Sequence, residues 1–155
     1  MADAVTMPEM LFYQLGPQPH DQALTALLQK TLERGLRAVV RLDTPERLAA
    51  LDNYLWTFDD ASFLPHSPAS DEQVAHQPIV LTTGRDNPGQ AQICFLVHGS
   101  QPVDCDDYQR VVYIFSGADD AEKAAAREHW RNATKTFDAV TFWKQNQHGS
   151  WEKQG

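Results

Sequence analysis

Short apolar runs alternate with longer stretches of helical period along this chain, and no other feature limits its fold as much. Leu11-Phe12-Tyr13-Gln14-Leu15 is an apolar and aromatic run closed by Gly16-Pro17, the pattern of a strand followed by a turn. Further runs of strand character lie at 37–42, 79–82, 92–97, 110–115 and 139–143. From Asp21 onward, Leu24, Leu27, Leu28, Thr31 and Leu32 recur at helical spacing, with Gly35 as a stop. Thr44-Pro45-Glu46 joins an N-cap residue, a proline suited to the first helical position and an early acid, predicting a helix to about Trp56. Residues 121–135 hold several alanines and neither glycine nor proline, and read as a further helix. This alternation predicts an α/β fold: one three-layer domain with a mostly parallel central sheet and helices on both faces.

No repeat, low-complexity tract or long linker divides residues 1–155, so a single domain is expected. Mobility is expected to concentrate in 1–9 and in about 147–155, the latter being read either as a mobile tail or as an added sheet edge. Residues 57–77, with Pro65, Pro68 and several serines and acids, read mostly as loop. The runs 79–82 and 92–97 flank a turn-like stretch and are joined either as a hairpin or by a looser loop. No apolar run nears the roughly 20 residues that cross a bilayer, and the first ten residues lack a secretory pattern. A cytoplasmic protein is therefore expected. Cys94 and Cys105 show no C-x-x-C spacing and are expected to be thiols.

Signatures of catalysis fail one after another. Gly16-Pro17-Gln18-Pro19-His20 follows the first strand where a dinucleotide fold needs G-x-G-x-x-G. Gly84 and Gly89 have P-loop spacing, but Gln90-Ala91 stand where Lys and Ser or Thr would hold phosphate and magnesium. Ser100 lacks a nucleophile elbow, the histidines lack ligand spacing, and Asp104, Asp106 and Asp107 lack the glycine and glutamate of a calcium loop. The expectation is no catalytic residue, no metal and no cofactor.

Charge points elsewhere. The formal net charge is −8, which disfavours duplex DNA as a direct ligand. Against that background Lys123, Arg127, Arg131 and Lys135 stand four residues apart, on one face of the expected helix, with Trp130 among them. Spacing alone is satisfied by a solvated helix face whose acids and bases suit the helix dipole. The opposed sign and the aromatic also suit an anion.

Six motifs in order carry a resemblance. They are Phe12-Tyr13-Gln14-Leu15, Leu51-Asp52-Asn53-Tyr54-Leu55-Trp56, Ser62-Phe63-Leu64-Pro65-His66, Val111-Val112-Tyr113-Ile114-Phe115, Ala126-Arg127-Glu128-His129-Trp130-Arg131 and Thr141-Phe142-Trp143-Lys144. Through them the chain resembles the chi subunit of the bacterial DNA polymerase III holoenzyme, part of its clamp-loader assembly. The resemblance implies a non-catalytic adaptor with a mononucleotide-binding-like fold that lacks the phosphate loop. It implies that Lys123, Arg127, Trp130 and Arg131, with Phe115 as a wall, take the acidic, Phe-ended C-terminal tail of single-stranded-DNA-binding protein. It also implies a second partner, the psi subunit or an equivalent, on Trp56, Phe63, Pro65 and His66, and contact with single-stranded DNA only indirectly. Two departures stand out: the segment Lys135-Thr136-Phe137-Asp138 lacks the family's usual glycine, and residues 147–155 extend past its shortest members. The alternative of another class is a small α/β enzyme acting on an anionic metabolite held by Arg127 and Arg131.

Overall fold

The computed structural model describes residues 9–16, 20–57, 66–68, 78–84, 87, 90–97, 100, 108–137, 139–148 and 150–154. Strands β1 (Glu9–Leu15), β2 (Ala38–Arg41), β3 (His66–Pro68), β4 (Ile79–Thr82), β5 (Ile93–Leu96), β6 (Arg110–Ser116), β7 (Ala139–Gln145) and β8 (Trp151–Lys153) alternate with α1 (His20–Glu33), α2 (Pro45–Thr57) and α3 (Asp120–Thr136). They form one eight-stranded sheet in the order β3-β4-β2-β5-β6-β1-β7-β8. Every neighbouring pair is parallel except β7 with β8, which is antiparallel.

Successive strand residues point to opposite faces, and here both faces are covered, so the central strands are apolar almost throughout. On one face Leu15, Val40, Leu81, Phe95, Val112 and Ile114 pack with Leu24 and Leu28 of α1 and Leu51 and Leu55 of α2. On the other, Met10, Phe12, Val39, Leu96, Val111, Tyr113 and Phe115 pack with Ala126 and Ala133 of α3. The α/β architecture expected from the alternation is the one observed.

The helix ends are written locally. Gly35 takes φ +73, its N–H donates to the Leu32 carbonyl, and the Leu36 N–H donates to the Thr31 carbonyl. That pair of bonds is the Schellman termination, which only a residue tolerant of the left-handed region forms without strain. The Thr44 hydroxyl accepts from the Arg47 N–H at 3.2 Å and caps α2 as expected. Asp119 caps α3, its carboxylate accepting from the Ala121 and Glu122 N–H groups at 2.9 and 3.0 Å.

Two alternatives left open by the sequence are decided, and one stretch read mostly as loop gains a strand. β4 and β5 are not a hairpin, because β2 lies between them and pairs with both in parallel. Residues 66–68, within the stretch read as loop, add β3 at one edge beside β4. Within 147–155, residues 151–153 form β8, the added edge beside β7, rather than a loose tail. No described helix is long and apolar enough to cross a membrane.

Candidate functional site

The parallel pairing of β1 with β6 on one side and β7 on the other brings Gln14, Phe115 and Lys144 to one level of the sheet. α3 crosses this part of the sheet and packs on β6, β7 and β1. Between helix and strands lies a groove of about 280 Å³, lined by Gln14, Phe115, Lys123, Ala126, Arg127, Trp130, Arg131 and Phe142. Phe115 comes from β6, Phe142 from β7 and Gln14 from β1. Their rings meet edge to face: Phe115 with Phe142 at 6.0 Å, and Phe142 with Trp130 at 5.9 Å. Trp130 also rests edge-on against Phe12 at 5.3 Å.

Four of the five residues expected to take an anionic tail therefore have their place at the mouth or wall, and the fifth forms the floor. Phe115 is buried and Trp130 is half-buried, so the tryptophan is a packed wall instead of an exposed platform. Packing on Phe12 holds its ring still, so a ligand that meets it loses little side-chain entropy in the protein. Lys123 is partly exposed, while Arg127 and Arg131 stand in solvent. Arg131 Nη1 lies 3.3 Å from Glu128 Oε2, an exposed pair one helical turn apart, and such pairs are weak enough to yield to a better anion. Among the described residues no acidic side chain lines this groove. Lys135, the last member of the cationic row, does not line it.

Phe142, Gln14 and Ala126 belong to the same groove; the sequence shows them within ordered motifs but not as binding residues. Gln14 and Phe142 lie more than a hundred residues apart in the chain, and only the strand order makes them neighbours. Phe142 carried a partial signal as an aromatic in the last apolar run.

The second set is less complete. Trp56, on the last turn of α2, is 54% exposed and is the exposed large apolar residue among those described. Its ring lies 4.6 Å from that of His66. His66 is itself buried, with Nε2 2.9 Å from Asp52 Oδ1. It lies beside Trp56 and is shielded from solvent. Phe63 and Pro65 lie outside the described residues, as does Cys105.

A larger groove of about 740 Å³ opens on the opposite face of the sheet, between the end of α1 and the β7–β8 edge. Tyr13, Trp143 and Trp151 give it an aromatic side, with Tyr13 4.8 Å from Trp151. Its charges are mixed: Lys30, Arg34 and Arg110 with Glu9 and Glu33. Arg110 Nε is 2.6 Å from Glu9 Oε1. Among the described residues no group of three or more His, Cys, Asp or Glu side chains is placed to hold a metal ion.

By architecture this is a three-layer α/β protein whose smaller groove joins an aromatic interior to a cationic rim. Residues 7–137 match the family model described as DNA polymerase III chi subunit, HolC, and the chain belongs to that family, an accessory subunit of the polymerase. The chain is also similar to the protein named "Probable DNA polymerase III subunit chi" of Rickettsia prowazekii (strain Madrid E), 25% identical over 91 residues. That alignment covers 59% of this chain and 55% of the relative, so the chain spans little more than half of that relative's length. The family match stops before β7, so Phe142 and the β7–β8 edge lie beyond it.

Proposed function

We propose that this protein is a non-catalytic adaptor of DNA replication that holds the acidic C-terminal tail of single-stranded-DNA-binding protein in the groove beside α3. The observation that carries the reading is the groove itself, whose described lining has three aromatic rings inside, three cations at its edge and no acid, on a chain of net charge −8. Guanidinium groups suit carboxylates through a planar, permanently charged fork. A terminal phenyl ring suits the space between Phe115, Phe142 and Trp130. Rim cations raise the encounter rate with an acidic segment, while the apolar interior supplies contact that salt does not screen. The family supports a place beside the clamp loader, and hence in the cytoplasm.

The test is titration with a short acidic peptide ending in Phe and with the same peptide lacking that residue. The full peptide is expected to bind the more tightly, and more weakly as salt rises without reaching zero. Equal binding of the two would remove the tail-holding role.

A second partner, the psi subunit or an equivalent, docks on Trp56, Phe63 and Pro65, with His66 as support. The exposed indole favours this, because a large aromatic left in solvent is a common anchor for a partner. Trp56→Ala is expected to cost about 2 kcal/mol or more of that binding with little loss of stability.

A further inference from the structure

Among the described residues, Gln14 is the one uncharged polar side chain lining the small groove. On β1 it follows Phe12 at a spacing of two, so it faces α3, and its strand neighbours are Phe115 and Lys144. Among the described residues its carboxamide has no hydrogen-bond partner. Its position depends on a bare backbone opposite. A Cβ built on Gly117 would come within 2.6 Å of Gln14 Nε2 and 2.9 Å of the Leu15 carbonyl. The Gly117 N–H donates to that same carbonyl at 3.1 Å, so the turn after β6 is held against the end of β1. Glycine at 117 thus leaves the volume that the carboxamide occupies. A carboxamide brings donors and an acceptor into a box otherwise walled by rings, with the cations on the helix side.

A groove of about 280 Å³ is larger than the roughly 150 Å³ cavity that takes a benzene molecule. It has room for one phenyl ring and the main-chain atoms of the residue bearing it. If that residue ends its chain, those atoms include a carboxylate. Acids earlier in the ligand meet Lys123, Arg127 and Arg131 along α3.

We propose that Gln14 is the residue that reads the free C-terminus of the bound peptide, its carboxamide donating to the terminal carboxylate and so selecting a chain end over an internal apolar residue. This rests on the tail-binding reading above. A neutral donor suits the task, because it tells carboxylate from blocked ends through a directed bond, whereas the rim cations attract any negative charge nearby.

The experiment compares two acidic peptides that are identical except that one ends in Phe with a free carboxylate and the other in Phe amide. Each is titrated into the parent protein, Gln14→Met and Gln14→Glu, with thermal melts of all three. The parent is expected to prefer the free acid by roughly ten- to a hundredfold, the scale of a charge-assisted hydrogen bond. Gln14→Met should lose most of that preference while holding the amide as the parent does. Gln14→Glu should reverse it, since a carboxylate repels the free end and accepts from the amide. An undiminished preference in either variant would assign the chain end to the cations and overturn the proposal. Should one variant fail to fold, the other decides by itself. Binding of neither peptide by the parent would mark a failure of the tail reading, and Gln14's role would fall with it.

Discussion

The two grooves of this molecule invert the usual relation between size and suitability. The one between α1 and the β7–β8 edge is more than twice the volume of the one beside α3. Yet its cations share the lining with Glu9 and Glu33, and Arg110 is committed to Glu9. Among the described residues the smaller groove has three cations, no acid and three packed rings. An anionic ligand gains from charge of one sign that is not already neutralised, and from apolar surface that is already rigid. Volume supplies neither.

The largest expected contrast is in stability. Phe12 is fully buried and supports Trp130 from below, so Phe12→Ala should cost about 3–5 kcal/mol in denaturant unfolding. Trp151→Ala, at a half-exposed site on the three-residue edge strand of the larger groove, should cost clearly less. A similar loss from both would mean that the edge is as integral as the centre.

Binding should separate the grooves next. Arg127→Ala is expected to weaken the Phe-ended acidic peptide by about 1.5–3 kcal/mol, and Arg34→Ala, on the larger groove, to leave it unchanged by calorimetry. Equal losses would show that the peptide responds to overall charge only.

Alkaline pH offers a third contrast. Burial, with the Glu122 carboxylate adding to it, pushes the Tyr113 hydroxyl up to about 12, against about 10 in an unfolded chain. The neutral phenol's contribution is therefore complete below about pH 10 and is lost as pH rises toward 12. Tyr113→Phe should flatten the fall in stability over that range. In the larger groove burial also raises Tyr13, helped by Glu9 but opposed by Arg110 and Arg34, so Tyr13→Phe should flatten it less. Tyrosinate absorbance during a pH titration of each variant checks the order.

Smaller still is the effect of a hydroxyl in the larger groove. Thr141 Oγ1 and Trp143 Nε1 are buried there without a hydrogen-bond partner among the described residues. Thr141→Val removes the cost of one such atom and should stabilise by about 1 kcal/mol. A loss of stability in unfolding experiments would mean that this hydroxyl is satisfied in solution. Least of all, Glu9→Gln breaks a pair in which both side chains are about one-third exposed, at 33% and 32%, and should change stability by no more than about 1 kcal/mol. If it also creates peptide binding that survives Arg127→Ala, charge commitment is what silences the larger groove.

Much of this was legible residue by residue. The Leu24 to Leu32 period, the Gly35 stop, the Thr44-Pro45 start and the apolar strands are local in cause, and the structure forms them where their chemistry dictates. The edge strands were not legible in the same way. His66–Pro68 and Trp151–Lys153 are three-residue segments without an apolar period of their own, and they become strands because β4 and β7 offer unpaired backbone groups. The basic row of α3 was visible, but its depth was not: burial of Phe115 and the half-burial of Trp130 depend on what the other strands place beneath them.

Taken alone, the sequence determined the three helices and the six inner strands, most of their ends, the charge contrast of α3 and the family, because each follows from neighbours within a few turns or from ordered motifs. Only the tertiary structure decided that β1 lies between β6 and β7. That choice brings Gln14, Phe115 and Phe142 under one helix, and it rests on pairing and packing between segments more than a hundred residues apart, where no local period can report the partner.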